Sequence, residues 1–404
     1  MNILIIHAHT ANRGDESAIK AMVDEILLQS PDMEITISQN GITPYPNMPS
    51  AVKQIGRFPA PHSLMGKIDF ALAMISNGHI AITHKGRNFL SNLKKADLVI
   101  HAPGGPSIGD TYREVENLYS MRLNLARRMK KHYMFYAPSM GPFQDKKRNP
   151  KREKVLRGAD KIILRDPISI QYLHDFLPDI QVEHAFDSAL QHDVDTSVVS
   201  AVYEKYDTLR EFISLHDKCI GITITDLKWH PRHKDDFIAE TIITTFHHFI
   251  EQKVDEGYGI VFIPQLYGTG NDTDLMKKFM LKEHTFMVDA FDDDHDSYFQ
   301  QYVIGQLYAV VGMRYHSNIF SAKMGTPFVS IAYEQKMSGF MQSIGLSDYC
   351  LDLNELSCNT LNDKFNSLEE NYSDYKNKLI DLHDYMKKES HKSTDAVFEI
   401  LEGK

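Results

Sequence analysis

Short apolar runs alternate with amphipathic stretches along the first half of the chain. Residues 2–7, 34–38, 97–102, 133–137, 161–164 and 181–185 are short and apolar, and most of them end in Gly, Pro, Asp or Asn. Between them lie segments such as 16–28 and 115–129, whose apolar positions recur at helical spacing. This alternation predicts a parallel sheet covered by helices on both faces. The pattern pauses over 193–217, which is polar, lacks a strand signal and reads as a linker region. It resumes at 220–224, 260–263, 286–288, 308–311, 328–331 and 350–353, which predicts a second unit of the same class. From about Glu369 onward Tyr372, Tyr375, Leu379, Leu382, Tyr385 and Met386, then Val397, Ile400 and Leu401, predict helices.

A chain of 404 residues is too long for one ordinary core. The expectation is therefore an α/β protein of two Rossmann-like domains facing across a cleft, 1–205 and 206–365. C-terminal helices over 366–404 follow, open to packing back on the first domain. A hydrophobic fraction of 42% and a charged fraction of 24% are those of a globular protein. The formal net charge of −10 argues against a nucleic-acid partner. One basic segment runs from Arg127 to Arg157 and includes Lys146, Lys147, Arg148, Lys151, Arg152 and Lys154. It reads first as a solvated face, and second as a patch for an anionic membrane or a lipid-diphosphate acceptor. The opening apolar run is too short for a secretory core or a membrane span. Cys219, Cys350 and Cys358 are odd in number and unpatterned, which fits a reducing compartment. A cytoplasmic location is the expectation, with peripheral contact at the inner face of the membrane left open.

The strongest chemical signal follows the apolar run 307–311. It enters Gly312-Met313-Arg314-Tyr315-His316, then a helical segment closed by Gly325-Thr326-Pro327, and the next strand begins at once. This βαβ unit puts Arg314 and His316 near the carboxyl end of a strand, where open α/β sheets bind ligands. If the backbone there is extended, the two side chains point the same way. Arg offers a planar fork for carboxylate or phosphate, and His can move a proton near neutral pH. In Asn12-Arg13-Gly14-Asp15, Asp15 reads as a helix cap or as a group that holds a hydroxyl. Gly104 and Gly105 let backbone approach a ligand, with Asp110 downstream, and Pro138–Phe143 is rich in turn formers. Arg165-Asp166 ends another strand, either as a structural pair or with Arg165 joining Arg314 as a second cationic point. Gly268-Thr269-Gly270 matches neither a P-loop nor a dinucleotide fingerprint. Asp292-Asp293-Asp294-His295-Asp296 is too contiguous to converge on a metal, and Asp296 reads as a cap. No metal site is expected.

Taken together, Asn12–Asp15, Gly104-Gly105 with Asp110, Ala137–Pro142, Arg165-Asp166 with Ser169 and Leu173, Asp187–Ala189, Gly312–His316, Ala322–Pro327 and Ile331–Lys336 resemble the polysaccharide pyruvyl transferase family. The resemblance covers roughly residues 1–345. It implies a GT-B-like glycosyltransferase fold. It also implies transfer of the enolpyruvyl unit of phosphoenolpyruvate to a sugar of a surface polysaccharide, an exopolysaccharide or capsule precursor, as a cyclic ketal. Phosphoenolpyruvate is then a co-substrate and no cofactor is needed. The acceptor is a sugar, with a lipid-linked oligosaccharide among the candidates. Arg165, Arg314, Tyr315 and His316 fall on the donor side, and Asn12, Asp15, Gly104, Gly105 and Asp110 on the acceptor side. His316 and Asp15 are the candidate catalytic groups. Tyr315 departs from the Leu common at that position. A nucleotide-sugar-dependent GT-B glycosyltransferase and a non-catalytic sugar-binding subunit remain the alternatives.

Overall fold

A computed structural model describes every residue except Ile42, Pro61, His62, Thr269 and Lys404. The Gly-Thr-Gly loop thus has its middle residue outside the described set. By contacts the chain divides into two units. The first comprises Met1–Thr10, Ala18–His192 and Lys388–Lys404, and the second Ala11–Ser17 and Asp193–Lys387.

In the first unit seven strands form one parallel sheet. They are β1 (Asn2–Ala8), β2 (Glu34–Gln39), β3 (Val52–Gly56), β4 (Leu98–His101), β5 (His132–Tyr136), β6 (Lys161–Leu164) and β7 (Glu183–His184). Their order is β3-β2-β1-β4-β5-β6-β7. Side chains alternate across a strand, and β1 shows the consequence. Ile3 and Ile5 join a core cluster with Ile19, Met22 and Val23, while Leu4 and Ile6 join another with Phe89, Leu93 and Leu123. A strand buried on both faces needs apolar residues at every position, which is what the sequence shows. The edge strand β3 escaped that signal, because of Val52, Lys53, Gln54, Ile55 and Gly56 only Ile55 is buried.

The second unit carries β8 (Cys219–Thr223), β9 (Gly259–Phe262), β10 (Thr285–Met287), β11 (Ala309–Gly312), β12 (Phe328–Ala332) and β13 (Cys350–Asp352). This sheet is also parallel, in the order β10-β9-β8-β11-β12-β13. The stretch read as a linker is instead largely helical, over Thr196–Glu204 and Asp207–Ser214. Val199, Tyr203, Leu209 and Phe212 give it a buried side that the polar composition hid. The chain ends in helices Cys358–Glu370 and Tyr372–Glu402.

In each sheet the strand order reverses at one place, between β1 and β4 in the first unit and between β8 and β11 in the second. The crevice outside the strand ends at such a switch point is where open α/β sheets take ligands.

Candidate functional site

The second unit's switch point is built on Arg314. Its strand stops at Gly312, and the following helix runs Tyr315–Met324. Arg314 is therefore the residue ahead of the helix and His316 its second residue. The extended Arg-x-His geometry expected from sequence is replaced by a strand-to-helix corner. Ser317 and Thr223 pin that corner: the Ser317 hydroxyl donates to the Arg314 carbonyl at 2.6 Å, and the Arg314 N–H donates to Thr223 Oγ1 at 3.2 Å.

The Arg314 guanidinium forks onto Asp272, with Nε donating to Oδ2 at 3.2 Å and Nη2 to Oδ1. Asp272 also accepts the backbone N–H groups of Gln265 and Leu266, at 3.1 and 3.0 Å. Burial works against the charge on Arg314, but Asp272 and the Tyr333 hydroxyl outweigh it and hold its pKa above the ordinary value. Trp229, the single tryptophan, is half-exposed, with its ring centroid 5.6 Å from the guanidinium carbon. Its indole N–H donates to Thr225 Oγ1 at 3.0 Å. Behind it buried His230 meets Glu334 at 3.1 Å, and Lys336 meets Glu334 at 2.6 Å. Tyr315 is buried with Lys336 over its ring, and its own ring stands edge-on to His316 at 5.1 Å.

The Asn-Arg-Gly-Asp segment belongs to this same unit. Arg13 is fully buried and donates to the carbonyls of Ala290 and Asp292 at 2.7 and 2.8 Å. Glu16, also fully buried, pairs with Arg13 at 2.9 Å and accepts the Ser297 N–H at 2.8 Å. Asn12, rather than Asp15, caps the helix that begins at Arg13, its Oδ1 accepting the Gly14 N–H at 2.9 Å. Asp15 sits in the first turn, where the helix dipole favours a carboxylate, and Asn12 Nδ2 donates to it at 3.1 Å. The helix start lies directly against His316: a Cβ on Gly14 would stand 2.2 Å from His316 Nδ1. Asn12, Asp15 and His316, far apart in sequence, are thus gathered at one place with Arg314.

Arg165, Gly104, Gly105 and Asp110 belong to the first unit. Arg165 pairs with Asp187, and its Nε donates to Ser139 Oγ at 3.1 Å. Asp166 caps helix Pro167–Phe176, accepting the Ser169 N–H at 2.7 Å. Asp110 ties loops together, accepting from Gln144 N at 2.6 Å and pairing with Arg152 at 2.8 Å. Burial raises its pKa, but Arg152 and these backbone donors pull it below the ordinary carboxylate range. A Cβ on Gly104 would meet nothing within 4 Å, whereas Gly109, at φ +146°, packs backbone to backbone on Gly141 and has no room for one.

Sequence reasoning passed over the residues at this unit's switch point. His7 ends the apolar run of β1 and His101 that of β4. The usable signal was an imidazole closing each otherwise apolar strand. His7 stacks on Tyr119 with centroids 3.8 Å apart and meets His101 edge-on at 4.7 Å. Its φ of +70° coincides with a register shift between Ile6 and Ala8. Nearby, buried Arg122 donates to Asn40 Oδ1 at 2.9 Å, and among the described residues no carboxylate pairs with it.

Both units thus present switch-point edges that can receive anionic or hydroxyl-bearing ligands. The fold is that of sugar-nucleotide enzymes. The UDP-GlcNAc 2-epimerase of Neisseria meningitidis, bound to UDP-GlcNAc, aligns with a TM-score of 0.60 at 11% identity over the whole of both chains. WaaG, a glycosyltransferase of lipopolysaccharide biosynthesis, aligns with a TM-score of 0.52 at 9% identity, covering 98% of this chain and 99% of its own. In sequence, the amylovoran biosynthesis protein AmsJ of Erwinia amylovora is 26% identical over 93% of each chain. The family model for polysaccharide pyruvyl transferases matches residues 12–335, from Asn12 at the helix cap to Gln335, the first residue of the helix that follows β12. The chain belongs to the polysaccharide pyruvyl transferase family.

Proposed function

We propose that the protein transfers the enolpyruvyl unit of phosphoenolpyruvate to a sugar of an exopolysaccharide or other surface-polysaccharide precursor, closing a pyruvate ketal and releasing phosphate. The observation that carries this reading is the grouping of Arg314, His316 and Asp15 at the second unit's strand ends. Phosphoenolpyruvate bears a carboxylate and a phosphate, and Arg314 is a charged fork already held in place. Asp272 holds the guanidinium through Nε and Nη2, and the Tyr333 hydroxyl also bonds it. Arg165 is the second cation assigned to the donor, and Tyr315, packed edge-on to His316, is assigned to the donor side with it.

The chemistry needs a proton delivered to the methylene carbon, which leaves an oxocarbenium-like centre at C2. One sugar hydroxyl attacks C2, the C2–O bond to phosphate breaks, and a second hydroxyl closes the ring. Of the two hydroxyl protons, one replaces the proton given to the methylene and the other leaves with phosphate. His316 is the assigned general acid, and Asp15 holds or deprotonates an acceptor hydroxyl. Fixed cations stabilise the negative charge on the departing phosphate, and no cofactor beyond the co-substrate enters the scheme. Gly104 and Gly105, with His7, His101 and Arg122 behind them in the same unit, fall to the acceptor.

The test is incubation with phosphoenolpyruvate and candidate free or lipid-linked glycosides. Acceptor-dependent phosphate release, with the ketal detected by mass spectrometry, is expected. Consumption of a nucleotide sugar with phosphoenolpyruvate left untouched would replace this reading with an ordinary glycosyl transfer.

A further inference from the structure

One helix of the first unit carries apolar residues on its outer side. Helix Leu64–Ile75 reads Leu-Met-Gly-Lys-Ile-Asp-Phe-Ala-Leu-Ala-Met-Ile, yet its buried residues are Gly66, Asp69 and Ala73. Asp69 takes the inward position because it has work there: it accepts the N–H groups of Ile82 and Thr83 at 2.5 and 3.1 Å. Phe70 and Met74 pack partly buried against a core cluster, while the apolar residues at the two ends of the helix face out. Leu64 is 73% and Ile75 80% exposed, and Met65, Ile80 and Ile82 are exposed beside them. Scattered apolar residues on a surface need no explanation, but this many within nineteen positions form a patch.

A groove of about 680 Å³ borders the same helix, lined by its Phe70 and Met74, by Lys147, Lys151 and Lys154, and by one exposed carboxylate, Glu114, so that the cations there outnumber the acids. The basic run read from sequence divides here into two kinds of residue. Arg148 and Arg152 are bound to Glu116, and Arg157 to Glu153 and Asp179. Lys147, Lys151 and Lys154 are exposed, and among the described residues none pairs with a carboxylate. The surface therefore joins an outward apolar helix to uncompensated positive charge, on a chain whose net charge is −10.

We propose that this face docks the protein on an anionic phospholipid bilayer. Leu64, Met65 and Ile75 enter the boundary between headgroups and acyl chains, and the three lysines lie against the headgroups. The overall negative charge sharpens this assignment, since the protein as a whole is repelled by such a surface and a local positive face is what would orient it. Nothing in it depends on the transferase reading.

The experiment is flotation of the full chain with vesicles of phosphatidylcholine mixed with phosphatidylglycerol, and with vesicles of phosphatidylcholine alone. Binding is expected only to the mixed vesicles, falling steeply with added salt. Leu64→Ser with Ile75→Ser should weaken it about tenfold or more, since both side chains are exposed and their loss leaves the core intact. Lys147→Gln with Lys151→Gln and Lys154→Gln should weaken it on the order of 100-fold at low salt. Lys277→Gln with Lys278→Gln, in the second unit, should change nothing. Equal binding to both vesicle types, or binding unmoved by both sets of changes, overturns the proposal. So does light scattering that shows a dimer broken by Ile75→Ser in a protein that ignores vesicles, for then a second copy covers the face.

Discussion

The two switch points share a topology and differ in how they treat charge. In the second unit the guanidinium of Arg314 is matched by Asp272, and the corner that carries it is tied down by Thr223 and Ser317. In the first unit Arg122 is buried with a side-chain amide and a distant carbonyl for partners. Burial pulls its pKa down to about 10, with Tyr119 opposing and Arg57 adding to the fall. Next to it neither ring nitrogen of His7 has a hydrogen-bond partner among the described residues, and Thr10 Oγ1 and Gln39 Oε1 also lack one. A buried polar group without a partner is destabilising, and so is a buried cation without a counter-ion. One edge is therefore charge-balanced before any ligand arrives, as a preorganised reaction site should be. The other stores a desolvation penalty that a bound anion or hydroxyl would relieve.

The largest break in this contrast comes from removing one half of the balanced pair. Arg314→Ala leaves Asp272 buried without its counter-ion, which should destabilise the protein by about 3–5 kcal/mol in urea unfolding and abolish phosphoenolpyruvate binding. Arg314→Met combined with Asp272→Leu should regain most of that stability while binding stays lost. If the double variant still binds the donor, Arg314 is a structural residue and the comparison loses its second-unit half.

His316 sharpens the same edge from the side of rate. His316→Gln should reduce turnover by roughly 100-fold or more with the circular dichroism spectrum unchanged, the usual scale for a lost general acid or base. Gly14 provides an independent handle. An Ala in the first turn of a helix is ordinarily better than Gly by up to about 1 kcal/mol. Here the added Cβ would stand 2.2 Å from His316 Nδ1, so Gly14→Ala should displace the imidazole and lower turnover at least about tenfold. A Gly14→Ala variant that is more stable and equally active would show that the placement of His316 is immaterial.

These residues also show what was legible in advance. The parallel strands were readable because burial on both faces demands unbroken apolar runs. Arg314 and His316 were readable because a cation and an imidazole interrupt such a run at a strand end. The counter-ions were not: Asp272 lies 42 positions before Arg314 and Asp187 22 after Arg165, and which carboxylate closes on which arginine is decided by tertiary packing. Arg13 stood inside the Asn12–Asp15 motif and Glu16 just beyond it, yet nothing local separates a buried ion pair from a solvated one. Helix Leu64–Ile75 was opaque for a related reason, since its apolar residues fall on both its inner and its outer side and periodicity alone does not say which is the inside.

Acid should destabilise the first unit's edge. Burial drives the pKa of His101 down to about 4 from 6.5, and that of His7 well below 6.5, through burial first and then His101 and Arg122. Both folded values lie below the unfolded value. The stability these neutral rings contribute is thus complete above about pH 6.5 and is lost as pH falls toward 4. Each histidine adds a slope of about 1.4 kcal/mol per pH unit within that window. Urea midpoints measured from pH 7.5 to 4.5 should fall, and His7→Phe should flatten the fall relative to the parent. Carboxylates titrating in the same range act on both proteins, so the difference between the two curves isolates His7. Parallel curves would mean that His7 is charged or solvated in the folded protein.

The smallest effect is the one that separates a binding group from a packing group. If Arg122 only fills space, its replacement by an apolar residue of similar length should cost little in stability and nothing in activity. If it waits for an acceptor, the unpaired charge is a penalty the free protein bears for the sake of the complex, and the two readouts must move in opposite directions. Arg122→Met removes the buried charge while keeping most of the side chain's volume among Tyr119, Phe58 and Asn40. Stability should therefore hold or rise by about 1 kcal/mol, since an apolar group of matching shape is often neutral or better where an ion lacked a partner. Phosphate release from phosphoenolpyruvate in the presence of an acceptor should nonetheless fall, with the KM for the acceptor raised and donor binding unchanged. Arg122→Lys distinguishes charge from shape: it keeps the cation without the fork and should restore part of the acceptor affinity. A destabilised Arg122→Met with unaltered acceptor kinetics would make the guanidinium a structural strut, and the first unit's edge would then differ from the second's in packing alone.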